Sequence, residues 1–156
     1  NYSKRRKEGL MEDVSAANAM FTSLKTFNTW LLFVQYACCF GVELTMSNAA
    51  ALYFKQEFGL STEKAAAIAS VFGWMNLFAR GFGGLVSDVS NANKGMQGRL
   101  VWHFLTLLFE GISLILFARS KTLAGAICSM CVFSIFVQAA EGSTFGIVPY
   151  VLPDRM

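Results

Sequence analysis

Charge is scarce in this sequence. Only 15% of its 156 residues are Asp, Glu, Lys or Arg, against about a quarter in ordinary soluble domains, too little to cover a water-facing surface. Proline occurs twice and histidine once. The first removes the commonest way of breaking a helix, and the second excludes histidine-rich metal clusters and leaves no plausible catalytic triad. No glycine-rich loop leads into a helix to cradle phosphate, and no nucleic-acid-binding signature is present. Neither an enzyme nor a nucleic-acid partner is therefore expected. Cys38, Cys39, Cys128 and Cys131 all lie in apolar runs. The C-x-x-C of Cys128 and Cys131 lacks a second pair that would complete a metal site. They read as small apolar helix residues, and no cofactor or metal is expected.

What is abundant is apolar. Hydrophobic residues make up 54% of the chain, fifteen of them phenylalanine, which points to an all-α integral membrane protein. A spanning helix needs about 20 mostly apolar residues. Four segments qualify, at about 28–54, 65–87, 100–118 and 122–146, provided that each is allowed an interior ionisable group. The third is short and holds His103 and Glu110. KQEFGLSTEK, DVSNANKGMQGR and RSKT read as the connections. Residues 1–27 read as a cytoplasmic linker with a short surface helix around MEDVSAANAM, and residues 28–156 as the membrane part. No internal repeat is visible.

Orientation follows from where lysine and arginine fall. With residues 1–27 inside the cell, the inner side holds Lys4, Arg5, Arg6, Lys7, Lys25, Lys94, Arg99 and Arg155. The outer side holds Lys55, Lys64, Arg119 and Lys121, offset by Glu57 and Glu63. The KRRK cluster lies far from any apolar segment of signal-peptide length, so it is read as a topology or anionic-lipid signal. The chain opens on Asn1 and closes on LPDRM after an apolar run, and is expected to be an internal stretch of a longer membrane protein.

Against that apolar background Arg80, Glu43, Glu110 and Glu141 stand out. Placing such a residue at mid-membrane costs at least about 2.5–3.5 kcal/mol on insertion scales, so each tends to face a bundle interior or a wet cavity. Arg80 precedes Asp88 by eight residues, about 12 Å along a helix. Its face carries Gly73, Asn76, Gly84 and Ser87, small or polar residues that leave room beside a guanidinium. An anion site, snorkelling to the interface and structural pairing are the three readings of Arg80. Tyr36, Phe40, Glu43 and Ser47 share one helical face, and Glu43 there needs a partner or a proton. Ser134, Gln138, Glu141 and Phe145 form a similar stripe, with Gly142 and Gly146 beside it. His103 and Glu110 share a face, and interhelical or interfacial pairing is expected of them.

Four motifs carry a resemblance: FGVELTMSN (40–48), FARGFGGLVSD (78–88), GMQGRL (95–100) and QAAEGSTFGIVPYV (138–151). In this order they resemble the high-affinity nitrate transporters of plants and algae, in the nitrate/nitrite porter family of the major facilitator superfamily. The resemblance spans about residues 27–152 and implies the seventh to tenth of twelve helices. It implies proton-coupled nitrate uptake by alternating access in a multi-pass plasma-membrane protein. Arg80 is similar to the arginine of the eighth helix that holds nitrate, with Gly81 where relatives often carry proline. Tyr36 and Phe40 resemble the aromatic pair of the seventh helix. A second arginine is implied in an N-terminal half that this chain does not contain.

The resemblance further implies a loop latch, matched by Gly84, Asp88 and Arg99, with a longer stretch between Asp88 and Gly98 than the usual form. It also implies a small single-span accessory protein as a candidate partner. Nitrate suits the residues independently. It is planar and monovalent, and a guanidinium offers it a matching fork of donors, with Asn76 a further donor. Glu43 and Glu141 are the proton-coupling candidates, or the groups that balance Arg80 in the empty state. A major facilitator carrier of another small anion and a non-transporting membrane scaffold are the alternatives.

Overall fold

The computed structural model describes residues 16–151, and they are helical almost throughout. Helix α1 covers Ala16–Lys25, α2 Phe27–Phe58, α3 Thr62–Arg119 and α4 Leu123–Ile147, followed by a 3-10 turn at Val148–Tyr150. The KRRK cluster, Arg155 and the first half of MEDVSAANAM lie outside the described residues. The expected linker helix begins within that motif and continues to Lys25.

The helix ends follow local rules. Gly59 closes α2 in the left-handed region at φ 62°, which costs glycine nothing. Ser61 opens α3 by accepting the backbone N–H of Lys64, and Thr122 opens α4 by accepting that of Gly125, as N-cap side chains do.

Helix α3 is the informative one. At 58 residues a straight rod would run about 87 Å, nearly three times the roughly 30 Å hydrocarbon core of a bilayer. It does not stay straight. Gly95 alone leaves helical geometry, at φ 62° and ψ −157°, a conformation open in practice only to glycine. There the chain reverses. Trp102 donates its indole N–H to the carbonyl of Gly83 at 3.1 Å, and Arg99 reaches Asp88 at 2.7 Å. In a straight helix Gly83 and Trp102 would stand about 28 Å apart. Residues 88–99, expected as a connection because of their Asn, Ser and Gly content, are instead helical up to the reversal on both sides. At Gly81 the helix continues unbroken.

The packing is of two kinds. Phe54, Phe72, Phe117, Met130, Phe133 and Val137 form an apolar core shared by α2, α3 and α4, with Phe72 and Phe133 stacked at 5.8 Å. Farther along, α3 and α4 approach backbone to backbone. Gly83 lies against the main chain of Ala139, and Gly142 against the carbonyl of Arg80. A methyl group at either glycine would occupy its neighbour's position, which is how small residues draw membrane helices together. The outward faces carry Trp74, Leu77, Phe78 and Phe104, all exposed. Three helices, Phe27–Phe58, Thr62–Arg119 and Leu123–Tyr150 with its terminal turn, are long and apolar enough to cross a membrane. The folded-back α3 has the length for two crossings, which accommodates the four expected spans.

Candidate functional site

The seam between α3 and α4 carries Arg80, and α2 supplies the facing carboxylate. Arg80 Nη2 donates to Glu43 Oε2 at 3.0 Å, to Gln138 Oε1 at 3.1 Å and to Glu141 Oε2. Its Nε donates to the same Gln138 oxygen at 3.3 Å. Glu43 Oε1 in turn accepts from Asn76 Nδ2 at 2.9 Å and from Gln138 Nε2 at 2.7 Å. Three helices thus meet in one hydrogen-bonded cluster holding one cation and two acids. Glu141 and Gln138 are fully buried and Glu43 nearly so, while the Arg80 side chain keeps 32% of its surface. Of the three readings of Arg80, snorkelling is set aside, because the side chain turns inward to partners on α2 and α4.

The aromatic residues form a separate feature. Tyr36 and Phe40 stack at 5.7 Å with their planes 12° apart, as two rings four residues apart on a helix can. Phe145 meets Tyr36 edge-on at 5.8 Å. Tyr36 and Phe145 also line an apolar cavity of about 290 Å³ with Leu32, Phe33 and Val148. Such rings offer flat apolar walls and specific geometry without a charge of their own.

Asp88 and Arg99 meet at the α3 reversal, where the Arg99 guanidinium also lies 5.5 Å from the centre of the Tyr150 ring and against Gly146. Gly84 is not part of that contact. It lies within the α3–α4 seam, where a Cβ in its place would stand 3.6 Å from the Gly142 carbonyl oxygen. His103 and Glu110 share a face but do not pair with each other. His103 Nδ1 shares a 2.6 Å hydrogen bond with Ser143 Oγ, and Glu110 accepts from the Cys39 thiol at 3.2 Å. Both are interhelical bonds. Cys128 is exposed and Cys131 half-buried.

Sequence reasoning placed Gln138 on the Glu141 stripe without assigning it a partner, and it passed over Tyr150. The signal for Gln138 was present. A glutamine inside an otherwise apolar helix, one turn before a buried acid, must satisfy both ends of its amide.

Long apolar helices enclosing a cation and two carboxylates define an integral membrane protein with a polar cluster inside its helical bundle, the class to which carriers belong. The chain is 39% identical over 140 residues to the high affinity nitrate transporter 2.7 of Arabidopsis thaliana, covering 90% of this chain and 28% of that protein. It is 39% identical over 153 residues to the high-affinity nitrate transporter 2.3 of rice, covering 97% and 30%. Nitrate transporter 2.1 of Chlamydomonas reinhardtii is likewise 39% identical, over 158 residues covering 97% and 28%. Along the stretch it spans, this chain belongs to the high-affinity nitrate transporter family of the major facilitator superfamily. It spans less than a third of the length of these curated relatives. No family model and no solved structure matches it.

Proposed function

We propose that this chain contributes to proton-coupled nitrate uptake across the plasma membrane, as the seventh to tenth helices of a twelve-helix carrier working by alternating access. Arg80 binds the anion, and Tyr36 and Phe40 border it. Glu43 and Glu141 carry the protons that accompany it, and Asn76 helps to hold Glu43. Asp88 and Arg99 close the cytoplasmic side in one state and part in another. A preceding six-helix half supplies a second arginine. The relatives' names support nitrate as the substrate.

The observation that carries the coupling is the sharing of Arg80 Nη2 between Glu43 and Glu141. With both acids ionised the cluster has a net charge of minus one and repels an anion. A proton on each acid leaves Arg80 with its charge and frees the donors that the acids had held. One nitrate and two protons then move together with a net positive charge. That direction is required, since moving an anion into a negative interior costs about 2.3 kcal/mol per charge per 100 mV.

The test is nitrate-evoked current at acidic external pH in cells expressing the full-length carrier, together with a single-span partner, wild type beside Arg80→Lys. Inward current that disappears in the variant at equal surface expression supports the reading, because lysine keeps the charge but not the fork. Current that survives with unchanged apparent affinity removes Arg80 from the site. A wild type that reaches the surface and gives neither current nor nitrate flux overturns nitrate as the substrate.

A further inference from the structure

We infer that Gln138 is a positioning residue that closes one edge of the Arg80 guanidinium, leaving the opposite edge as the only one on which an anion can sit. The inference rests on Arg80 as the anion-binding residue.

A guanidinium presents two forks to a planar partner, one formed by Nε and a terminal nitrogen, the other by the two terminal nitrogens. In this cluster the Gln138 carbonyl oxygen accepts from Nε at 3.3 Å and from Nη2 at 3.1 Å, which fills the first fork. Nη1 makes no hydrogen bond to any described residue. The Arg80 side chain as a whole retains 32% exposure whereas Gln138 has none, so the filled fork is the one shut away from solvent.

The amide can stand only one way round. Its Nε2 donates to Glu43 Oε1 at 2.7 Å, and its oxygen faces a group that only donates. Turning it over would set donor against donor and acceptor against carboxylate. Gln138 therefore differs in kind from the two acids that share Nη2. A proton can discharge Glu43 or Glu141 and loosen its hold, but an amide does not titrate. Whatever the protonation of the acids, Gln138 keeps the guanidinium plane and its filled edge in place. A planar anion arriving as the acids let go meets the terminal-nitrogen fork at a fixed orientation.

This role predicts loss of shape recognition rather than loss of charge. Without Gln138 the guanidinium still attracts any anion, but its plane can turn. The experiment uses the full-length carrier and compares nitrate with chloride, a sphere of the same charge that has no orientation to match. In Gln138→Met the apparent KM for nitrate is expected to rise about tenfold, the worth of one charged hydrogen bond, and by more than the maximal current falls. Inhibition by chloride should stay near its wild-type value, so that selectivity for nitrate over chloride drops by a similar factor. If Gln138→Met does not reach the surface, Gln138→Asn takes its place. It is polar but one methylene too short to reach Nε, and the same split is expected.

Wild-type KM and selectivity in Gln138→Met, alongside lost uptake in Arg80→Lys, would overturn the role of Gln138 and leave Arg80 as the anion site. Wild-type uptake in Arg80→Lys would remove the anion site and this inference together.

Discussion

Gly142 of α4 lies directly against the carbonyl oxygen of Arg80, so closely that a Cβ there would coincide with it. The backbone of Arg80 is thus seated on a neighbouring helix, one residue beyond the acid that binds its side chain. Gly142→Ala should push α3 from α4 and carry Arg80 away from Glu141. We expect a stability loss of about 1–3 kcal/mol, as for other overpacked sites, and nitrate uptake reduced beyond what surface expression explains. Thermal unfolding in detergent and nitrate flux check the two effects separately. Unchanged stability with normal flux would mean that the seam yields.

The charge count at Arg80 predicts a change in the kind of transport. Glu141→Gln removes one proton-binding group and makes the empty cluster neutral. One nitrate would then move with one proton and no net charge. Isotope-labelled nitrate should still enter, with the current per nitrate falling towards zero and a shallower rise as external pH drops. Cys39 and Glu110, joined at 3.2 Å on the α2 and α3 side, and Tyr36 are titratable neighbours of the cluster besides Glu43 and should show no such effect when altered. An unchanged ratio of current to flux would rule Glu141 out as a carrier of the second proton.

At the reversal of α3 the pair formed by Asp88 and Arg99 is uneven. Arg99 is buried while the Asp88 side chain is 67% exposed, so the pair contributes at most about 1 kcal/mol to stability. Its effect should appear in the transport cycle. Asp88→Arg or Arg99→Asp alone is expected to slow uptake severalfold at normal abundance, and the double exchange to restore part of it. Gly146→Ala should mimic the Arg99 change, since its Cβ would displace the guanidinium. A double exchange no better than either single variant would show that the two residues act separately.

Two glycines on α3 make a contrast. Gly95 sits at φ 62°, and Gly95→Ala should cost about 1–3 kcal/mol or block assembly. Gly81 has open space around its Cβ position and ordinary helical geometry. Gly81→Ala should leave stability unchanged or raise it by up to about 1 kcal/mol. Melting temperatures of the purified carrier read both.

Arg80, Glu43 and Glu141 were legible in the sequence because charge is costly in an apolar run, so each one announces a partner. Glu43 and Glu141 were already read as acids able to balance Arg80. The tight turn at Gly95 was not legible. Asn91, Asn93 and Lys94 have the composition of a loop, and only the packing of the folded-back arms holds them in a helix. Gln138 was seen but not understood. A buried amide needs partners at both ends, but the sequence does not say which, and they lie 58 and 95 positions away. Gly142 could not be told from a generic small residue until the Arg80 carbonyl was found against it.

The glycine seam has a mechanical consequence. Where α3 and α4 touch through their main chains, neither can shift without the other, so Arg80, Gln138 and Glu141 travel as one body. Helix α2 joins them at the cluster only through the tip of Glu43, a joint that a proton or an anion can undo. In the carrier cycle proposed above, a movement that parts Glu43 from Arg80 would therefore have to take the paired helices as one piece.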